Sequence, residues 1–334
     1  MAARHSLPAL ALLLAACTTT AAPPAPAPPV ETEHTDVDVD VDTTPPEPPA
    51  PTLEVTVTGG EPVKHLVPSR DGHPIAVWSK RPAEPKGAFL LVHGRTWSGV
   101  PDFDLQVEGE HLSLMDRLVE RGYAAYAVDL RGYGATERDA SGWNDPDKAA
   151  ADVVAGLDFI AAREGGGVVL LGWSYGSIHA HIAALRRPEH VRALVLYGHP
   201  RGPRGRSTPE PSPEKPAYAR NSRQAARSDF ITRGTISEAA IQAYVEACQQ
   251  ADPVRADWHD LHLFDEADST KLAVPTLAIR GDNDPVASAT TQRRLIDLVP
   301  TRSAYVEIPN ADHAAHLEHP TEFVDAVLGF VEAE

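Results

Sequence analysis

Five short apolar runs most constrain the fold of this chain: "GAFLLVHG" from Gly87, "YAAYAVD" from Tyr123, "GVVLLG" from Gly167, "VRALVLYG" from Val191 and "VPTLAIRG" from Val274. Each is too short for a helix that spans a core and apolar at nearly every position, the pattern of a strand buried on both faces. Helical patterns separate them. One begins at Asp145-Pro146, an N-cap followed by proline at the first helical position, and continues as "DKAAADVVAGLDFIAARE". Others are expected near Glu110 to Arg121, ended by Gly122, near Ser177 to Arg187, and near Ser288 to Val299 before the strand "SAYVEIP" and a terminal helix. Strands alternating with helices predict an α/β fold with a mostly parallel, doubly wound sheet. "HLVPSRDGHPIAVWSK" adds an antiparallel hairpin at its start, turned at Asp71-Gly72.

Before about Leu53 the composition changes. "MAARHSLPALALLLAAC" has a basic start, an apolar stretch and small residues up to Cys17, too short to span a bilayer. Leu14-Ala15-Ala16-Cys17 resembles the lipobox of bacterial lipoproteins. That resemblance implies removal of residues 1–16, acylation of Cys17 and attachment to the cell envelope, the outer membrane being favoured because Thr18 is not aspartate. Residues 17–52 are rich in Pro, Ala, Thr and acids and have too little apolar matter for a core, so they are expected to form a disordered tether reaching up to roughly 100 Å at about 3.1 Å per residue. Its "DVDVDVD" run, Asp36 to Asp42, has neither the glycine turn nor the terminal glutamate of a calcium loop and reads as a solvated acidic linker. Residues 53–334 then form the folded domain.

Within that domain, "VLLGWSYGSIHA" sets Ser174 on a strand-to-helix turn between Gly172 and Gly176, whose lack of side chains makes room for the bend. Gly172-Trp173-Ser174-Tyr175-Gly176 resembles the nucleophile elbow, G-x-S-x-G, of the α/β-hydrolase fold superfamily. The resemblance runs from about Pro62 to the C-terminus. It implies a serine nucleophile followed in sequence by an acid and a histidine. "AIRGDNDPV" supplies the acid through the family's Gly-x-x-Asp pattern, which selects Asp284 with Asp282 as competitor, and "IPNADHAAHLEHP" supplies His313 as base. "LVHGRTWSG" resembles the oxyanion loop. The backbone N–H groups of Arg95 and Tyr175 are the expected donors, Thr96 being the alternative to Arg95, with His93 bracing the loop and Asp129 of "DLRGYG" shaping its neighbour.

Between the strands ending near Tyr197 and starting near Pro275, residues of about 199–271 are expected to insert as a cap over the site, far longer than an ordinary connection. Arg201, Arg204 and Arg206 at its start are candidates for an anionic substrate, though scattered loop arginines are usually only solvated. Thr235 and Glu238 have capping-box spacing for a helix whose Ile241, Tyr244, Val245 and Cys248 share one face, so Cys248 reads as a buried apolar residue. With Cys17 carrying lipid, Cys248 has no disulfide partner. His179 and His181, two apart on a helix, read as packing or surface residues, and His316 and His319 as helix-start residues without metal-ligand spacing.

A serine at the elbow disfavours the aspartate-based epoxide hydrolases and dehalogenases of the same fold. Ester hydrolysis of a small or medium molecule through an acyl-serine is therefore the leading expectation, with no cofactor and no metal. An aminopeptidase or amidase is the alternative, for which Glu238, Glu246 and Asp252 are candidate partners of a substrate amine. A non-catalytic ligand-binding lipoprotein is a third reading. The formal charge of −17 argues against nucleic acid as a partner, membrane contact is expected only through Cys17, and the sequence identifies no protein partner.

Overall fold

The computed structural model describes residues 58–202 and 213–333. Cys17, the "DVDVDVD" run, Arg204 and Arg206 lie outside the described residues. Eight strands, β1 Val63–Pro68, β2 Pro74–Lys80, β3 Ala88–Val92, β4 Ala124–Asp129, β5 Val168–Trp173, β6 Val191–Tyr197, β7 Thr276–Gly281 and β8 Ser303–Ile308, form one sheet. Its order is β1-β2-β4-β3-β5-β6-β7-β8. Strands β3 to β8 run parallel, and β2 is antiparallel to both β1 and β4. The expected hairpin pairs Pro68 with Pro74 across Gly72, which takes a left-handed φ of +79°.

Nine helices among the described residues complete the fold: α1 Gly99–Phe103, α2 Leu114–Glu120, α3 Pro146–Glu164, α4 Tyr175–Arg186, α5 Arg223–Arg227, α6 Glu238–Ala251, α7 Ala289–Ile296, α8 Ala315–Glu318 and α9 Pro320–Glu332. Because side chains alternate across a strand, each all-apolar run feeds two cores. Leu90, Leu170 and Leu194 pack with Val153 and Leu157 of α3, Ala180 of α4 and Leu295 of α7. Phe89, Leu91, Val169 and Leu171 pack on the opposite face with Met115 and Leu118 of α2 and Phe323 and Val327 of α9. Burying each such large side chain stabilises the fold by about 1.5–3 kcal/mol, which commits both faces to helices.

The helix ends follow local chemistry. Asp145 caps α3 by accepting from the Lys148 N–H at 2.8 Å, and Gly165 ends it at φ +73°. Helix α2 starts later than its sequence pattern suggests, because Val107 and Glu110 form a bridge and Ser113 takes the cap position, accepting from the Asp116 N–H. Helix α6 is likewise capped by Ser237 and not by Thr235. The Thr235 hydroxyl instead donates to Glu318 at 2.7 Å, while Glu238 pairs with Arg227. Residues Trp143–Asn144 and Asp257–Trp258 form a separate two-stranded parallel pair that ties the segment after β6 to the loop after β4. No helix among the described residues is long and apolar enough to cross a membrane.

Candidate active site

The C-terminal ends of β3, β5, β6, β7 and β8 lie side by side, and every residue singled out for acyl chemistry follows β3, β5, β7 or β8. Ser174 sits between β5 and α4 at φ +55°, ψ −123°, a conformation costing of order 1–3 kcal/mol in a residue with a side chain. The surrounding backbone enforces it. A Cβ on Gly172 would lie 2.3 Å from the Gly176 carbonyl oxygen, and one on Gly176 would lie 2.2 Å from that of Val92. Strand and helix are therefore pressed together at a distance that only glycine permits. The Ser174 N–H donates to the Tyr197 carbonyl at 2.8 Å. The Ser177 hydroxyl holds the turn from the helix side, 2.5 Å from the Ser174 carbonyl and 2.7 Å from Nδ1 of the buried His199.

Asp284 and His313 meet at 2.9 Å through Oδ2 and Nδ1, from the turns after β7 and β8. The other Asp284 oxygen accepts the N–H groups of Val286 and Ala287. Burial pushes this carboxyl up, but the His313 ring and those two amides outweigh it and hold it below the ordinary value. An ionised carboxylate only accepts, so Nδ1 carries the imidazole proton and Nε2 is left as a lone-pair acceptor. Asp282, the competing acid, is exposed to solvent. The His313 carbonyl is fixed by the Trp173 indole N–H at 2.8 Å and the Tyr197 hydroxyl at 2.7 Å. Since Trp173 directly precedes Ser174, and its ring centre lies 5.5 Å from that of His313, the elbow and the histidine loop are fastened to each other.

The loop after β3 approaches the same point. A Cβ on Gly94 would lie 3.3 Å from Ser174 Cβ. Arg95 follows with its guanidinium 5.4 Å from the centre of the Tyr175 ring, so the two residues expected to supply oxyanion donors lie against each other. His93 is wholly buried, and burial pushes its imidazole down to about 4, which keeps it neutral. Its Nε2 accepts from the Leu130 N–H and its Nδ1 lies 2.7 Å from the Gly94 carbonyl, bracing the loop. Asp129 accepts from the Trp78 indole and from the Gly99 and Ala135 N–H groups, shaping the adjoining loop.

The segment after β6 packs onto these loops. Helix α6 sets Ala240, Tyr244, Val245 and Cys248 against Trp97 of the loop after β3 and Leu317 of α8, just beyond His313. Cys248 is fully buried, as its helical spacing predicts, and burial pushes its thiol up.

The other histidines and charged residues singled out in the sequence take a variety of places. His316 does stand in the first turn of α8, and it is also wholly buried, with Nε2 2.8 Å from the Asp102 carbonyl and Nδ1 3.0 Å from the Tyr197 hydroxyl, partners far away in sequence. His319 does sit at the N-cap of α9. His179 and His181 are both buried, the first stacked on Trp258 with ring centres 5.1 Å apart, so packing and not surface exposure describes them. Arg201 is partly buried and pairs with Asp265 at 2.6 Å. Glu238 and Glu246 are exposed and paired with Arg227 and Arg223, and Asp252 is occupied by the Ser98 and Gly134 N–H groups. The carboxylate that does approach the site is Asp229, which no motif marks. It accepts from the Trp97 indole at 3.2 Å and lies 3.5 Å from the Tyr244 hydroxyl, and burial pushes it up to about 6 although the nearby His313 opposes this.

Comparison with known proteins agrees with this architecture. Residues 89–326 match the model of the alpha/beta hydrolase family. Polyketide synthase ThaQ of Burkholderia thailandensis is 33% identical over 203 residues, 56% of this chain, which spans only 10% of that protein's length. Pimeloyl-[acyl-carrier protein] methyl ester esterase of Xanthomonas campestris pv. campestris is 27% identical over 263 residues, covering 74% of this chain and 95% of the esterase. Among solved structures, a serine hydrolase involved in carbazole degradation superimposes with a TM-score of 0.58 at 20% identity, over 81% of this chain and 99% of that one.

Proposed function

The chain belongs to the alpha/beta hydrolase family, and from that premise we propose that it is a serine hydrolase cleaving carboxylic esters of small or medium size. The observation that carries this reading is the 2.9 Å Asp284–His313 pair, set beside a serine held at positive φ on a strand-to-helix turn. The esterase named above, matched over nearly its whole length, supports the choice of ester. Ser174 Oγ attacks the carbonyl carbon while His313 Nε2 takes its proton. Asp284 holds the imidazole in the required tautomer, and the Arg95 and Tyr175 N–H groups stabilise the oxyanion. Collapse of the intermediate breaks the ester bond, and the leaving alkoxide takes the proton from His313 to depart as an alcohol. Water then adds to the acyl carbon, gives its proton to His313, and releases the acid as Ser174 is regenerated. No step calls for a cofactor. Residues of about 199–271 act as the cap that selects the acyl and leaving groups. The amine-binding alternative loses its three candidate carboxylates to other partners, which favours esters over aminoacyl amides.

The N-terminal segment fits the same reading of an exported enzyme. Cys17, acylated after loss of residues 1–16, anchors it to the envelope, and residues 17–52 act as the tether; Cys17→Ser is expected to move the protein from the membrane fraction to the soluble one.

The test is labelling with a fluorophosphonate probe. Wild-type protein is expected to label, and Ser174→Ala and His313→Ala to lose it. Folded wild-type protein that does not label would replace the enzyme assignment with the ligand-binding reading, and labelling that survives in Ser174→Ala would remove Ser174 as nucleophile.

A further inference from the structure

The residue before the proposed base is a buried aspartate whose carboxylate faces neither the sheet nor solvent. Asp312 is fully buried, and both its oxygens are taken by one short stretch of the insertion after β6. Oδ2 accepts the Ile231 N–H at 2.9 Å and the Thr232 N–H, and Oδ1 accepts the Thr232 hydroxyl at 2.6 Å. A second tie runs parallel to it. The Asp312 N–H donates to Glu318 Oε2 at 2.6 Å, and Glu318 Oε1 accepts from the Thr235 hydroxyl at 2.7 Å.

The histidine loop is thus held from three directions. The Asn283 N–H donates to the Ala311 carbonyl at 2.9 Å from the acid loop, and Trp173 and Tyr197 hold the His313 carbonyl from the elbow side. Those two anchors are built into the ends of the sheet. Residues 231–235, by contrast, join α5 to α6 outside it, so this third anchor is the one that can release while the sheet stays intact.

We infer that Asp312 is a positioning residue that makes docking of the insertion and alignment of His313 one event. A buried carboxylate stripped of these donors must find others or take a proton, and either change displaces the backbone that carries the imidazole. Removing part of the tie therefore lowers the rate of the chemical step more than it weakens substrate binding. The inference rests on His313 being the base, as proposed above.

The experiment uses the full chain with Thr232→Val, Thr232→Ser and Asp312→Asn, assayed on p-nitrophenyl butyrate well below each variant's unfolding temperature, beside the fluorophosphonate rate constant. Thr232→Val deletes one hydroxyl and leaves both amide donors, so it is the variant expected to fold if Asp312→Asn does not. The expected result is a fall in kcat of about tenfold for Thr232→Val with KM changed by less than roughly threefold, a parallel fall in labelling rate, and recovery in Thr232→Ser. Wild-type kcat in Thr232→Val, a change confined to KM, or a Thr232→Ser as slow as the valine variant would overturn the inference. If wild-type protein is not labelled at all, the serine-hydrolase reading has failed instead. Labelled wild-type protein with unaffected Thr232 variants leaves that reading standing and removes this one.

Discussion

Replacing Gly198 with alanine isolates the contribution of imidazole placement from that of stability. Gly198 follows β6 at φ +57°, and its N–H donates to the Ile279 carbonyl at 2.9 Å, which fixes it between the elbow strand and the acid strand. A Cβ there would lie 2.8 Å from His313 Cε1, 3.0 Å from Nδ1 and 3.3 Å from Asp284 Oδ2. To reach an ordinary contact of 3.4 Å the ring must retreat from the new methyl group by about 0.6 Å. Misplacement of a reacting group by about 1 Å costs roughly 100-fold in rate, so a loss of about 10- to 100-fold in kcat/KM is expected. The left-handed backbone adds about 1–2 kcal/mol of destabilisation, a fall in melting temperature of roughly 2–8 °C for a domain of this size. Gly72→Ala is the control: it has φ +79° and open space around the added Cβ, so it carries a comparable backbone penalty without touching the site. Ester hydrolysis measured at about 20 °C, well below the expected unfolding range, with folding checked by circular dichroism, separates the two. Wild-type kcat/KM in Gly198→Ala, or an equal loss in Gly72→Ala, would refute the reasoning.

Two further predictions test the charges at the site. Asp284→Asn is expected to leave the fold intact and lower kcat about 10⁴-fold, because an amide at this position no longer dictates which nitrogen of His313 carries the proton; a loss below about tenfold in steady-state assays would remove Asp284 from that role. Asp229 should make stability depend on pH. Burial pushes its carboxyl up to about 6 against an ordinary value of 3.8, so between those values the folded state holds a proton that the unfolded chain has released, and stability falls as pH rises through that window. At about 1.4 kcal/mol per pH unit the deficit reaches roughly 3 kcal/mol above about pH 7. Asp229→Asn should therefore gain stability relative to wild type at about pH 8 and not at about pH 4 in urea titrations, and an equal effect at both would contradict it.

The sheet is legible in the sequence because its signals are local. A run such as Val168 to Leu171 can be read as a doubly buried strand without knowing its neighbours, and the Asp145-Pro146 start of α3 is written in adjacent residues. The elbow is legible for the same reason, since Gly172 and Gly176 answer a clash within one short stretch of chain. Cys248 can be placed by helical spacing alone. Features that depend on a distant partner are hidden. The spacing of Thr235 and Glu238 fits a capping box, yet Ser237 offers an equally good cap and Thr235 is drawn away by Glu318. His316 shows nothing in its own stretch of sequence that marks its burial against Asp102 and Tyr197.

Asp229 and Asp312 show why the insertion is the least legible part of the site. Asp229 belongs to no motif and Asp312 only adjoins His313 in one that gives it no role, and each acquires its meaning from a contact between the insertion and a strand-end loop: Asp229 with Trp97 after β3, Asp312 with Thr232. A carboxylate is soluble and ordinary until such a contact removes it from water, at which point its few partners govern its charge and position. The insertion is therefore tied by side-chain contacts to the loops that carry Trp97 and His313. By supplying the donors that Asp312 needs, and by burying Asp229 near His313, it shapes the electrostatic surroundings of that imidazole, so under the proposed mechanism exchanging it between relatives should alter the rate of the chemical step as well as the choice of ester.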